Sequence, residues 1–103
     1  MTQLWNPELE QLDRQQLRSL QLRKFRELCL YAAEHSPFYR DRFEAAGLDP
    51  GAITSFDTVR EVPTTPKSAL REAQQTEPCP YGDLLAGELT DVTEYHPTSG
   101  TTG

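Results

Sequence analysis

The segment Thr98-Ser99-Gly100-Thr101-Thr102-Gly103 has the composition of a loop that binds phosphate. It places four hydroxyl side chains and two glycines in six consecutive positions. Glycines let a backbone approach a ligand closely, and N–H and O–H donors in such a loop can converge on polyphosphate oxygens. We call residues 98–103 the Ser/Thr/Gly loop and interpret it as a nucleotide-binding loop. The alternative is a disordered polar tail, because the same residue types dominate flexible termini.

The charge around this loop is unfavourable for a polyphosphate. The loop contains no lysine and does not match the pattern G-x-x-x-x-G-K-[ST]. After Arg71 there is no Lys or Arg, while acidic residues accumulate: Glu72, Glu77, Asp83, Glu88, Asp91 and Glu94. A triphosphate bound here needs a cation or basic side chains from elsewhere. We therefore expect these 103 residues to be the front part of a nucleotide-using enzyme, cut off at its phosphate loop.

A long helix is expected early in the chain, from a capping box at Asp13 and Gln16 to about Glu34. Its apolar residues recur with helical spacing. The apolar side of the helix comprises Leu17, Leu20, Phe25, Leu28, Cys29 and Ala32, and it is widened by Leu22, Leu30 and Tyr31. A helix with so broad an apolar surface needs cover from more than one neighbouring element.

Shorter elements are expected to follow. Ser36 is a favourable N-cap and Pro37 a favourable first residue for a second helix, which ends at Gly47 as a left-handed cap. The same logic predicts a turn at residues 49–51, a short helix from Ser55 to about Arg60, a helix at Lys67–Gln74, a loop at residues 78–82 and a strand at residues 92–96. That strand would be followed, after Pro97, by the Ser/Thr/Gly loop.

The aromatic residues near the start of the chain are explained by packing. Core packing between the first two helices accounts for a cluster formed by Tyr31, Phe38, Tyr39 and Phe43 without any ligand. Trp5 is expected to pin the leading segment to the body of the protein or to a second subunit.

Other candidate side chains have a structural explanation that we favour over a functional one. His96 could face an acyl site or orient a phosphate, but a histidine at a strand end is more often a structural hydrogen-bonding group. His35 is explained by the helix dipole, and Lys67 is more simply a surface lysine than a phosphate ligand. A solvated helix face, rather than a site for an acidic partner, explains the basic residues Arg14, Arg18, Arg23, Lys24 and Arg26.

Length and composition restrict the class of protein. At 103 residues the chain is at most one small soluble domain. It has no apolar run long enough to span a membrane and no signal peptide, so a cytoplasmic protein without a membrane partner is expected. The net charge of −6 argues against nucleic acid as a general partner. Cys29 and Cys79 are far apart and fit neither a metal site nor a cytosolic disulfide, and Cys29 is expected in the core.

The order of the motifs resembles the N-terminal part of the phenylacetate–CoA ligase family, a branch of the adenylate-forming enzymes related to acyl-CoA synthetases. The matching motifs are, in order, Trp5-Asn6-Pro7, the basic helix, Ser36-Pro37-Phe38-Tyr39, Phe43-x-x-Ala46-Gly47, Pro63-Thr64-Thr65-Pro66-Lys67, Pro80-Tyr81-Gly82 and His96-Pro97 with the Ser/Thr/Gly loop. Together they cover nearly the whole chain.

This resemblance implies an enzyme that activates a carboxylic acid with ATP, releases pyrophosphate and transfers the acyl group to coenzyme A. The family's signature loop corresponds to Ser99, Gly100, Thr101, Thr102 and Gly103, preceded by Thr98, and it holds the β- and γ-phosphates. Mg²⁺ assists the reaction in the family. The resemblance further implies a small aromatic or other carboxylic acid as the substrate, and leaves a homodimer open for the full-length protein.

The resemblance and the residue pattern together predict a mainly α-helical N-terminal subdomain over residues 1–90. Residues 91–103 are predicted to form the first strand and phosphate loop of a truncated α/β adenylation domain. No catalytic residue and no protein ligand for a metal can be assigned in this chain, so the segment alone should be inactive. The alternative is a non-enzymatic helical interaction module with a disordered polar tail.

Overall fold

The computed structural model of the protein describes residues 5–96, so the Ser/Thr/Gly loop lies outside the described residues. The helices are α1 (Pro7–Glu10), α2 (Arg14–His35), α3 (Pro37–Ala46), α4 (Phe56–Val59) and α5 (Lys67–Gln74). Short 3₁₀ turns occur at Pro50–Ala52, Gly82–Leu84 and Leu89–Asp91. The predicted mainly α-helical class is confirmed.

The caps predicted for α2 and α3 are present. Asp13 Oδ1 accepts a hydrogen bond from the Gln16 amide at 2.7 Å, and Gln16 Oε1 accepts one from the Asp13 amide at 3.0 Å. This reciprocal pair satisfies two donors at the start of α2. Gly47 ends α3 with φ of +66°, a conformation that an L side chain rarely adopts. Local side-chain chemistry therefore determines where these helices begin and end.

The strand predicted at residues 92–96 does not form within the part of the chain that the structure describes. Val92 has extended backbone angles, but a strand also needs a partner with which to exchange hydrogen bonds, and residues 5–96 supply none. Helix α1 was not predicted, although its signal is present. Asn6 caps it by accepting a hydrogen bond from the Leu9 amide at 3.3 Å, and Pro7 occupies the first turn.

A small core lies where α2, α3 and the segment after α3 meet. It consists of Cys29, Phe43 and Ile53, with Leu22, Phe25, Ala33, Leu48, Val59 and Val62 packed against them. The prediction that Cys29 is a core residue is confirmed. Leu17 and Leu28 belong to the apolar side of α2 but are 41% and 63% exposed, so the described neighbours cover only part of that side. Helical spacing located apolar residues but could not show which of them a neighbour covers.

Two of the basic residues on α2 hold the segment that carries α4. The Arg26 guanidinium donates a hydrogen bond to the Ile53 carbonyl at 3.1 Å, and the Arg18 guanidinium lies 4.1 Å from the centre of the Phe56 ring. A cation over an aromatic face and a charge-assisted hydrogen bond both stabilise the contact. The basic face of α2 is therefore partly a packing surface rather than only a solvated one.

The aromatic residues divide between the core and the surface. Phe43 is buried, and Phe38 packs edge-to-face against Tyr39 at 5.0 Å. Tyr31 is 52% exposed and contacts His35 instead, so its predicted place in a core cluster is wrong. Trp5 is 95% exposed and does not pin the leading segment to the body of the described chain. None of the helices within residues 5–96 is long and apolar enough to cross a membrane.

Candidate functional site

The six predicted phosphate-binding residues, Thr98, Ser99, Gly100, Thr101, Thr102 and Gly103, all lie outside the described residues, and their role stays a prediction. The structure does describe the segment that leads to them. Residues 76–96 run from the C-terminal end of α5 to His96, two residues before the first residue of the loop. We call this segment the approach segment, and its contacts show how the described chain reaches His96.

Gly82 is the tightest point of the approach segment. It is buried and has φ of +57°, and the turn it begins lies against the end of α5. Thr76 Oγ1 donates a hydrogen bond to the Ala73 carbonyl at 2.6 Å and accepts one from the Asp83 amide at 3.0 Å. The Thr76 hydroxyl therefore joins α5 to the turn. A β-carbon at Gly82 would overlap the Ala73 carbonyl, so the close approach requires glycine.

The approach segment is also bonded to the junction between α2 and α3. Ser36 is fully buried, and its hydroxyl lies 3.0 Å from the Asp83 carbonyl and 3.2 Å from the Leu84 carbonyl, to which it donates. The same oxygen is 3.5 Å from the Tyr39 amide at the start of α3. The Tyr31 hydroxyl donates to the Ala86 carbonyl at 3.1 Å. Ser36 was predicted only as a cap, and its bonds to the approach segment join residues 47 and 48 positions apart.

The end of the approach segment is placed by an aromatic contact. The rings of Tyr81 and Tyr95 meet edge-to-face with centroids 5.8 Å apart, which is a favourable geometry. His96 Nε2 lies 2.6 Å from Glu94 Oε2, and both side chains are largely exposed. His96 is thus hydrogen-bonded to a carboxylate in the described chain, as the structural interpretation of this residue expects.

The other candidate side chains lie on helices α2 and α5 rather than on the approach segment. His35 is in the last turn of α2 beside Tyr31 and Glu34, and Lys67 is exposed at the start of α5. Within residues 5–96 there is no group of three or more His, Cys, Asp or Glu side chains that could hold a metal ion.

A second feature is an apolar cleft between α2, α3 and residues 62–65. Its volume is about 300 Å³, and Leu28, Cys29, Tyr39, Arg42 and Val62 are among its lining residues. Burial raises the pKa of the Cys29 thiol, because a thiolate is poorly solvated there. Most of the lining residues are apolar, so the cleft has the character of a packing site.

The two cysteines are expected to differ in reactivity. Cys79 is exposed, whereas Cys29 is buried and its raised pKa keeps the thiol protonated to higher pH. A thiol reagent at about pH 8 should therefore modify Cys79 at least about tenfold faster than Cys29. The measurement is the time course of labelling followed by mass spectrometry, with Cys79→Ser as the control that retains only the slow reaction. Equal rates in the native chain would contradict the buried position of Cys29.

Comparisons with known proteins identify relatives over nearly the whole chain. It is 37% identical over 100 residues to a phenylacetate–coenzyme A ligase of Thermus thermophilus, with 97% of this chain and 21% of that protein aligned. It is 33% identical over 88 residues to the phenylacetate–coenzyme A ligase of Escherichia coli, covering 85% of this chain and 19% of that protein. The chain thus spans about one fifth of the length of these relatives. No protein-family model matches it.

Solved structures show the same relationship in three dimensions. A 2-hydroxyisobutyryl-CoA ligase in complex with 2-HIB-AMP and CoA matches 96% of this chain with a TM-score of 0.83 and 37% identity, over 21% of the ligase chain. An open conformation of 2-hydroxyisobutyryl-CoA ligase matches with the same TM-score of 0.83 and 34% identity. In sequence and in fold, the chain corresponds to the N-terminal fifth of the phenylacetate–coenzyme A ligase family of adenylate-forming enzymes.

Proposed function

We propose that the chain provides the N-terminal part of an ATP-dependent carboxylate–coenzyme A ligase. The observation that carries this proposal is the 37% identity with a phenylacetate–coenzyme A ligase across 97% of the chain. A fold alone would leave the activity open. Agreement in sequence and fold with coenzyme A ligases from two separate comparisons supports this activity.

In this proposal the Ser/Thr/Gly loop holds the β- and γ-phosphates of ATP. The substrate carboxylate attacks the α-phosphorus, the bond to the bridging oxygen of pyrophosphate breaks, and an acyl-adenylate forms. The thiol of coenzyme A then attacks the acyl carbon, AMP leaves, and a thioester results. A loop that fixes the leaving pyrophosphate positions it in line and stabilises its developing charge.

The ligands of the proposed enzyme are ATP, coenzyme A and a carboxylic acid. The related 2-hydroxyisobutyryl-CoA ligase is described in complex with an acyl-AMP and CoA, which supports the two nucleotide ligands. We further propose that Mg²⁺ binds together with the phosphates of ATP. We propose an aryl or arylacetic acid as the substrate, a cytoplasmic enzyme and a homodimeric assembly. The chain by itself is proposed to be inactive, because residues that contact adenine, ribose and acid are expected outside it.

A hybrid enzyme tests this proposal. Residues 1–103 replace the matching N-terminal part of the Thermus thermophilus ligase, and exchange of labelled pyrophosphate into ATP is measured with and without phenylacetate. We expect exchange that depends on the acid in the hybrid and none in the 103-residue chain alone. A hybrid that unfolds cooperatively but shows no exchange with any tested acid would contradict the proposal.

A further inference from the structure

The described helices carry large apolar side chains that remain exposed within residues 5–96. On α2 alone, Leu17, Leu28, Leu30 and Tyr31 are 41%, 63%, 43% and 52% exposed. Apolar surface gains free energy when a partner removes it from water, and contiguous exposed apolar surface marks interaction sites. Single exposed side chains indicate nothing, but neighbouring ones form a surface that a partner can cover.

Part of this surface is an apolar patch on α2. Leu28 is 63% exposed and Tyr31 is 52% exposed, and the two residues are three positions apart, hence neighbours on one helix face. Leu28 also lines the apolar cleft, together with Ala32 from the same helix. The exposed face and the cleft are therefore continuous, and we call them together the α2 groove.

The opposite wall of the α2 groove is held in place by Arg42. Its guanidinium donates to the Thr64 carbonyl at 2.7 Å and lies 5.5 Å from the centre of the Phe38 ring, which ties α3 to the segment after α4. Arg42 Nε is buried without a hydrogen-bond partner among the described residues. An unpaired buried N–H costs about 1–3 kcal/mol. The contacts of Arg42 therefore shape the groove, but its Nε–H group lacks a hydrogen-bond partner among the described residues.

We infer that the α2 groove is a docking surface for the adenylate-forming body of the ligase, which inserts an apolar side chain beside Leu28. This inference rests on the proposed function. The occupant follows from length, because the matched segment accounts for 21% of both the curated relative and the solved ligase, and about four fifths of each lies elsewhere. A partner of that size can cover the exposed apolar side chains of α2, and the cleft of about 300 Å³ has room for an apolar side chain.

The test measures whether the body covers position 28. Leu28→Cys is introduced, in a Cys79→Ser background, both into the 103-residue chain and into the hybrid ligase, and its labelling by a small thiol reagent is timed. Glu27→Cys is the matched control. The Glu27 side chain is 66% exposed, and it points about 100° away from that of Leu28 around the helix. We expect the thiol of Leu28→Cys to be labelled at least about tenfold more slowly in the hybrid than in the 103-residue chain. The thiol of Glu27→Cys should be labelled at the same rate in both.

The outcomes separate this inference from the proposed function, because labelling needs neither ATP nor acid. Fast labelling of Leu28→Cys in a hybrid that shows pyrophosphate exchange would overturn the docking surface and leave the function standing. Slow labelling in a hybrid without exchange would support the docking surface and contradict the function. Protection of Leu28→Cys in the chain alone, with a dimeric mass by analytical ultracentrifugation, would overturn the inference in favour of a second copy as the occupant.

Discussion

Replacing Thr101 and Thr102 by alanine in the hybrid ligase is expected to lower acid-dependent pyrophosphate exchange by about 10²–10³-fold. The physical reason is that the two hydroxyls are proposed to donate hydrogen bonds to the phosphate oxygens that gain charge as pyrophosphate leaves. Donors aimed at developing charge contribute most in the transition state, so the rate should fall more than the affinity for ATP. The measurement is the exchange rate as a function of ATP concentration.

The matched control uses two threonines outside the loop. Thr90 and Thr93 are exposed on the approach segment, and the Thr90→Ala, Thr93→Ala double variant removes the same number of hydroxyls nearby. Its exchange rate should stay within about threefold of the parent, because exposed substitutions rarely cost more than about 0.5 kcal/mol. Full exchange in the Thr101→Ala, Thr102→Ala variant, with an unchanged thermal midpoint, would refute the phosphate-binding role of the loop.

The substitution expected to affect stability most is Gly82→Ala. Gly82 combines a φ of +57° with a backbone so close to α5 that a β-carbon would overlap the Ala73 carbonyl and the Thr76 hydroxyl. The left-handed conformation alone costs a residue with a β-carbon about 1–2 kcal/mol. Relief of the overlap requires the turn to move away from α5, which breaks the bonds through Thr76 and Ser36. We expect a loss of more than about 3 kcal/mol, measured from the unfolding of the hybrid.

Gly47→Ala provides the comparison, because it isolates the free-energy cost of the left-handed backbone conformation from that of steric overlap. Gly47 has a similar φ of +66°, but nothing lies within 4 Å of the position that its β-carbon would take. Its substitution should therefore cost only about 1–2 kcal/mol. If the two variants lost stability equally, the close packing of the approach segment on α5 would be disproved.

Residues 78–96 show the limit of prediction from local sequence. The prolines and glycine predict the loop at residues 78–82, but they do not predict the hydrogen bonds that join Asp83, the next residue, to Ser36 and Thr76. Ser36 is predictable as a cap, because a cap depends on residues three positions apart. Its hydrogen bonds to the carbonyls of the approach segment are not predictable in this way, because those partners are 47 and 48 positions away. The strand predicted at residues 92–96 does not form for the same reason, since pairing depends on a partner strand that residues 5–96 do not supply.

The sequence by itself determined the helix boundaries, the family and the candidate loop. Capping boxes, proline starts and glycine ends act over three or four residues, so Asp13, Pro37 and Gly47 specify them locally. Only the tertiary structure decided which apolar residues of α2 are covered. Cys29 and Leu28 are adjacent and both apolar, yet Cys29 is buried in the core with Phe43 and Ile53, whereas Leu28 lies outside that core and is 63% exposed. Burial depends on a neighbour that local spacing does not identify.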